Sequence, residues 1–577
     1  MSVIKFCALG GLGENGKNCY VVTVDNKMFV LDIGLKYPSA ELFGIDAIIP
    51  DISFLEENKE KICGIFLSHG HEENIGGIIE IFKKTNAPIY TTHFTASIVE
   101  LLIQEANLKL SDYKIYRIND NKVLTFGNVN VSFFNTSHSI PESLGISINT
   151  SDGSIVYAPD FTFSAVKEVK YRTSFDKITD ISKNKTLLLL SESIGCFNYE
   201  RTNNDYAFDY TINEILKQKR RTVFSMFSSN LNRIQRVIDL CVKNNKKIAI
   251  MGRKTQKTVN VAMNLDYIKI PNRNLVNLKF MTPDNKNDSD DLVVIITGIR
   301  HEPYFMLLRM LTGQDRLIEL KESDNVVIVS SPVTGTEKIA TSTKDRLNRL
   351  GCKITSLSKG SLKSSHADSE DLKMMYQLLS PKYILPVVGE YRHQYQQKNI
   401  AIEAGYKKEN IIMLDNGVEI SFVDGVLQED TNKVNVGDVL VDGSIVGDIN
   451  EIVLKDRELL SESGAVICTV NIDSNKRKIV SGPKVVSRGF ISLGLMADIY
   501  ENLENVAYDI IQKKLKSRNI DWNELKNSVK DALTKEILEE TNKNPVVIPL
   551  IIDMCEEEEQ NEEFKKLWNK TIMVRFL

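Results

Sequence analysis

The chain has 577 residues, which at roughly 150 residues per domain predicts three or four domains. Apolar residues make up 42% and charged residues 26%, a balance that permits a sizeable core and excludes wholesale disorder. Lys plus Arg number 72 against 76 Asp plus Glu, a net charge of −4, so no global positive charge advertises a polyanion and any such site must be local.

No apolar run approaches the ~18 residues of a membrane span, and the N-terminus lacks the basic-then-apolar pattern of a signal peptide. The eight cysteines are scattered without a CxxC pair, which in a chain of this length predicts reduced thiols and a cytoplasmic location.

In chain order, the first half alternates short apolar strands with helical stretches, the pattern of a layered α/β protein. Strands are predicted over 27–33, ending in Asp32-Ile33-Gly34, and over 62–68, running into His69-Gly70-His71. Residues 74–84 have helical spacing. A strand over 129–134 stops before His138, and 145–149 with 154–157 read as a hairpin through Asp152-Gly153. From about residue 208 the pattern becomes regularly strand–helix, with strands at 222–227, 247–252, 292–297 and 325–330. Helices are predicted between them at 233–242, 255–265, 304–311 and 341–350. The chain then resumes with a helix over 368–379, a strand over 383–388 and a helix over 394–404. A Gly, Val and Asp-rich stretch at 433–456 precedes strands at 465–472 and 478–486, helices at 497–515 and 522–540, and a last strand at 546–552. The acidic run Glu556–Glu559 reads as a solvated tail.

Seven histidines are available for chemistry, at 69, 71, 93, 138, 301, 366 and 393. His69 and His71 sit two apart on a loop between strand and helix, a spacing at which two imidazoles can converge on one divalent ion. His138 and Asp160 follow later strand ends, where α/β proteins place chemistry. His93 and His301 read as structural, and His393 as a polar residue near a cleft rim. Residues 217–257 hold twelve Lys/Arg and one acid, Asp239, a local excess that either favours a polyanion or is balanced by acidic neighbours.

Longer stretches carry a family resemblance. The segment Ala8-Leu9-Gly10-Gly11-Leu12-Gly13-Glu14-Asn15-Gly16-Lys17-Asn18, Ser137-His138-Ser139-Ile140-Pro141-Glu142-Ser143, Gly389-Glu390-Tyr391-Arg392-His393 and Val480-Ser481-Gly482-Pro483 resemble the ribonuclease J family over nearly the whole chain. The resemblance implies an α/β metallo-β-lactamase αββα sandwich in two parts, 1–204 and 346–440. It further implies an inserted β-CASP α/β domain at 205–345, a linker at 441–460 and a small α+β C-terminal domain at 461–577. It also implies 5′-to-3′ exonucleolysis with endonuclease cleavage of RNA, by metal hydroxide attacking phosphorus, in RNA decay and maturation.

In that family one zinc is held by residues matching His69, His71, His138 and Asp160, all present. The second zinc position corresponds to Glu73, Asn74, Asp160 and Val388. Glu73 carries an extra methylene relative to the family's aspartate, the Asn74 amide is a poor zinc ligand, and Val388 cannot ligate. The resemblance therefore implies one zinc site with the second weakened or absent, Mn or Mg being alternative ions. Slow hydrolysis is expected, with Glu73 and His366 as catalytic candidates. The family's phosphate-holding segment matches Leu362-Lys363-Ser364-Ser365-His366, and Ser330-Ser331-Pro332 matches a second pocket segment. Ser331, Ser364, Ser365 and His366 are the expected substrate contacts, although Ser365 stands where a glycine gives phosphate close access to backbone. Gly44, Asp46 and Asp442 resemble a place where some members hold a structural divalent ion such as Ca²⁺. RNA is the expected partner. A homodimer, homotetramer or hetero-oligomer with an active ribonuclease J is the expected assembly, because the pattern resembles the weakly active paralogue. Two other readings stand beside this one. A non-catalytic RNA-binding scaffold is one; a small-ester hydrolase is the other, disfavoured by the inserted basic domain.

Overall fold

A computed structural model describes all residues except 1, 40–41, 165, 167, 199–204, 253–255, 283–288, 334, 358–361, 363, 444, 448, 491–496, 518–519 and 555–577. The acidic run Glu556–Glu559 and the Lys363 position of the phosphate-binding segment lie outside the described residues. The chain forms two compact units, residues 1–38 with 46–441, and residues 39–45 with 442–577.

The first unit is built on two sheets. One runs in the order Val426–Leu427, Val418–Val423, Val3–Gly10, Cys19–Val24, Lys27–Leu31, Ile62–Phe66, Ile89–Thr91, Ile115–Arg117. The other runs Tyr383–Val387, Thr186–Glu192, Gly153–Ala158, Leu144–Thr150, Val129–Asn135, Val123–Phe126. Alternate residues of each strand point to opposite faces. Ile4, Phe6, Tyr20, Val22 and Phe29 of the first sheet meet Val131, Phe133, Ile146, Ile148, Leu188 and Leu190 of the second in one buried core. The outward residues are covered by helices: Cys7, Val21 and Val30 by Ile75, Ile78, Ile81 and Phe94 on one side, and Val156, Leu189 and Ile384 by Ile178, Leu372 and Met375 on the other. The result is the expected αββα sandwich. Strands Thr186–Glu192 and Tyr383–Val387 are parallel neighbours, pairing Leu190 with Leu385, although nearly two hundred residues separate them in the chain.

Between those neighbours the chain makes a five-stranded parallel sheet, in the order Lys247–Met251, Leu292–Gly298, Thr222–Phe227, Asn325–Ile328, Lys353–Ser356. Its strands Leu292–Gly298 and Asn325–Ile328 are mostly apolar because both faces are buried.

The second unit holds Ala465–Asp473 between antiparallel Lys478–Arg488 and parallel Val546–Asp553. Helices Ala497–Leu515 and Trp522–Thr541 cover one face, packing Leu503, Ile511, Leu525, Val529 and Leu533 on Val466, Cys468, Val470 and Ile472.

Two elements differ from expectation. The helix predicted over 74–84 is broken into Glu72–Ile75 and Ile78–Lys84, because two glycines intervene and a Cβ at Gly77 would meet Ile33 at 2.8 Å. The second half of the expected linker is a helix, Glu451–Ser463, started by the Asn450 side chain accepting from Val453 N.

Candidate metal centre

The chemistry-bearing side chains stand where strands of the facing sheets stop. Ile62–Phe66 leads to His69 and His71, Val129–Asn135 to His138, Gly153–Ala158 to Asp160, and Thr186–Glu192 ends on Glu192 itself. His366 comes from the loop ahead of helix Ser369–Leu379.

His69 Nε2 lies 3.0 Å from His71 Nδ1, His138 Nε2 lies 3.2 Å from the same atom, and Asp160 Oδ2 lies 3.4 Å from His69 Nε2. Ligand atoms about 2.0–2.1 Å from a tetrahedral zinc ion are about 3.3–3.4 Å apart, so these separations are close to the edges of that tetrahedron. The remaining ring nitrogens set the tautomers. His138 Nδ1 faces the Ser365 carbonyl at 2.7 Å and His71 Nε2 faces the Ser229 carbonyl at 3.0 Å. A carbonyl only accepts, so both nitrogens carry the proton and leave His138 Nε2 and His71 Nδ1 as lone pairs aimed inward. Burial pushes the His138 imidazole down to about 3 and His69 well below the usual range, so both are neutral near pH 7, as metal ligation requires. The donor set fits zinc.

A second group adjoins the first. His366 Nδ1 lies 2.8 Å from Asp160 Oδ1 and 2.7 Å from Glu192 Oε2. The fully buried Glu192 also accepts from the backbone of Phe161 and Ala367, at 2.8 and 3.0 Å. Burial pushes Glu192 up to about 7. Burial also opposes charge on His366, yet the Glu192 and Asp160 carboxylates hold its imidazolium well above the ordinary range. Burial likewise opposes ionisation of Asp160, but the surrounding imidazoles, His138 foremost, keep it below the carboxylate range.

Asn74 is buried, and its amide donates to Asp32 Oδ2 at 2.7 Å and to Ser68 Oγ at 3.3 Å. Asp32 also accepts from Ser68 N at 2.7 Å, Ser68 Oγ at 2.8 Å and Tyr157 OH at 2.8 Å, so it braces the loop that carries His69. Glu73 and Val388 line the same cavity of about 810 Å³, but Glu73 belongs to neither donor group among the described residues. Val388 has φ 51, a conformation that strains a β-branched residue.

Ser331, Ser364, Ser365 and His366 all line this cavity. The Ser331 hydroxyl is buried with no hydrogen-bond partner among the described residues. Ser364 Oγ instead holds its own loop, accepting from His366 N at 3.1 Å and donating to His366 O at 2.9 Å. Leu362 adds an apolar wall. In the second unit the Asp442 carboxylate pairs with Arg457 at 2.5 Å, and that guanidinium lies 2.8 Å from the Cβ position of Gly44, so the charge a structural cation would meet at Asp442 is already balanced. Asp46 belongs to the first unit.

Part of the basic stretch 217–257, four of its twelve Lys/Arg, is paired with acids. Arg221 is buried against Asp324, Arg236 pairs with Asp205 and Asp209, Lys217 with Glu214, and Lys257 with Glu105. Sequence reasoning passed over Glu192 and Asp32. Both are acids at the end of an apolar strand, Leu187-Leu188-Leu189-Leu190-Ser191-Glu192 and Met28-Phe29-Val30-Leu31-Asp32, and that position was the available signal.

Comparison with known proteins bears on the whole chain. Residues 219–347 match the family model "Ribonuclease J, beta-CASP domain", and residues 452–554 the "Ribonuclease J C-terminal domain". Residues 361–413 match the "Zn-dependent metallo-hydrolase RNA specificity domain", and residues 45–176 the "Beta-lactamase superfamily domain". The chain is 36% identical over 553 residues to ribonuclease J2 of Bacillus subtilis (strain 168), covering 96% of this chain and 99% of that one. It is 35% identical over 558 residues to ribonuclease J 2 of Staphylococcus aureus (strain MRSA252), covering 96% and 98%.

Proposed function

The chain belongs to the ribonuclease J family, and from that premise we propose that it is a ribonuclease of RNA decay and of ribosomal and messenger RNA maturation. It acts as a 5′-to-3′ exonuclease with endonuclease capacity, slowed by an incomplete second metal position. One observation carries this reading. His69, His71, His138 and Asp160 present converging donors, whereas the Asn74 amide is engaged with Asp32 and Val388 offers only methyl groups.

A zinc ion in the first position would supply Lewis acidity at the scissile phosphate. The chain's own residues do the rest. Asp160 orients His69 and His366 together. His366, kept protonated by Asp160 and Glu192, stands ready to give its proton to the departing oxygen. Ser331, which lines the cavity and whose hydroxyl has no partner among the described residues, is the candidate contact for the terminal phosphate. The Ser365 side chain and Leu362 narrow the same pocket.

The test measures metal content of the native protein and turnover on 5′-monophosphorylated RNA with added Zn²⁺ or Mn²⁺. One zinc per chain and slow cleavage that Asp160→Asn abolishes are expected; turnover equal to an intact two-metal homologue refutes the reduction. A second reading, a non-catalytic RNA-binding scaffold within a ribonuclease J complex, is favoured by the apolar Val388 and Leu362 in the cavity wall. It wins if Asp160→Asn and His71→Ala leave RNA cleavage unchanged. Assembly with a further copy or with an active ribonuclease J, in the cytoplasm, completes the proposal. No described helix is long and apolar enough to cross a membrane.

A further inference from the structure

The inserted five-stranded domain reaches the metal centre through a short loop. Residues 228–230 join its central strand, Thr222–Phe227, to helix Leu231–Lys243. Both ends of that loop are pinned within the domain. Ser228 N donates to Gly298 O at 3.0 Å, and the Asn230 side chain accepts from Arg233 N at 3.0 Å. Between these two anchors Ser229 presents its carbonyl to His71 Nε2 at 3.0 Å.

A serine of the sandwich holds that carbonyl in place. Ser139 directly follows His138 and is buried. Its Oγ donates to Ser229 O at 3.1 Å, closer than its 3.4 Å approach to His71 Nε2 or to His138 Nε2. A carbonyl oxygen has two lone pairs, so it accepts the Ser139 hydroxyl and the His71 N–H together. The Ser139 carbonyl in turn accepts from Asn232 N at 3.1 Å. One residue of the sandwich therefore grips the inserted domain at 229 and again at 232. His69 is held differently, its Nδ1 meeting Ser68 Oγ of the sandwich at 3.0 Å. The converging donors are thus oriented from two sides, His69 from the sandwich and His71 from the inserted domain.

We propose that Ser139 is a positioning residue that couples zinc binding to the seating of the inserted domain. It supplies no ligand and acts through the Ser229 carbonyl. With Nδ1 ligated, the His71 Nε2–H is a stronger donor to that carbonyl, and the carbonyl makes Nδ1 a more basic ligand. Linkage makes the effect reciprocal. The factor by which the seated loop raises zinc affinity equals the factor by which zinc favours the seated loop. The proposal rests on the zinc position described above and deepens it, from a set of four donors to a contact between domains.

The experiment takes two readings on the full-length protein. Zinc affinity is measured by competition with a chromogenic chelator, and hydrogen exchange of residues 228–233 is followed by mass spectrometry with and without zinc. Zinc is expected to slow exchange in this segment, which contributes no ligand. Ser139→Ala is expected to lower zinc affinity about 10-fold or more, the lower edge for a group that orients a ligating histidine, and to remove the protection. Ser139→Thr keeps the hydroxyl and restores both. Ser143→Ala removes a buried hydroxyl that donates to Ile140 O within its own segment, and it leaves both unchanged. A Ser139→Ala protein that binds zinc as tightly as wild type overturns the coupling and leaves the zinc reading standing. So does wild-type exchange at 228–233 that zinc does not alter, or an equal loss of affinity in Ser143→Ala. A wild-type protein that binds no zinc overturns both.

Discussion

Completing the second metal position is the most direct trial of the site's logic. The perturbation is the triple variant Glu73→Asp, Asn74→His, Val388→His. Val388 has φ 51, and a side chain in the left-handed region carries about 1–2 kcal/mol of strain. His is among the residues that tolerate this region better, so relief of strain offsets much of the about 1.5–3 kcal/mol lost when a buried valine leaves. Asn74→His removes the 2.7 Å bond to Asp32, worth about 1.5–3 kcal/mol as a hydrogen bond to a charged group. The net loss is a few kcal/mol, within reach of a chain with this much core. A second ion that braces the opposite oxygen is worth several kcal/mol at the transition state, or about 10²–10³ in rate. The assay pairs metal content by mass spectrometry with single-turnover cleavage of 5′-monophosphorylated RNA, and thermal unfolding confirms the fold. Zinc should rise from one per chain to two, with rate rising alongside. Two ions already present in the unmodified chain would defeat the reasoning, and so would a folded two-zinc variant that cleaves no faster.

Three further outcomes follow from the packing. Arg221 and Asp324 form a two-pronged pair at 2.8 and 2.6 Å with both side chains buried, so Arg221→Ala should lower stability by about 3–5 kcal/mol in urea unfolding; a loss under 1 kcal/mol would show the pair to be dispensable. A Cβ at Gly34 would lie 1.6 Å from the Glu73 carbonyl oxygen, so Gly34→Ala should displace the loop after His71, costing about 1–3 kcal/mol and weakening zinc retention in dialysis; unaltered retention would mean the loop moves freely. Burial pushes Asp32 up to about 6 from 3.8, so between those values the folded chain holds more proton than the unfolded one, and stability falls as pH rises through that window. The fall is about 3 kcal/mol, roughly two pH units at 1.36 kcal/mol each, and it should vanish in Asp32→Asn when metal-free proteins are compared by denaturant titration from pH 4 to 7.

Much of the site was legible because its parts are local. The His-Gly-His loop, the histidine after Val129–Asn135 and the aspartate after the 144–158 hairpin are each visible as a polar residue at the end of an apolar strand. Their convergence follows once the strands share two facing sheets. The resemblance to the family then implied that imidazoles are missing at Asn74 and Val388. Glu192 also ends an apolar strand, but that position alone did not reveal what it does. Its role depends on His366, 174 residues later, arriving above its carboxylate. The meaning of the basic stretch was also hidden, since Arg221 and Arg236 are answered by Asp324, Asp205 and Asp209.

By itself, then, the amino-acid order determined the layered α/β architecture, the strand ends and the imidazoles they carry, because periodicity and turn chemistry act over a few residues. Only the tertiary structure decided that the Asn74 amide is tied to Asp32 and that Glu192 joins Asp160 and His366. Those facts depend on which distant segments lie within hydrogen-bond or ring-contact range, and that proximity arises from the packing of sheets and helices rather than from any local pattern.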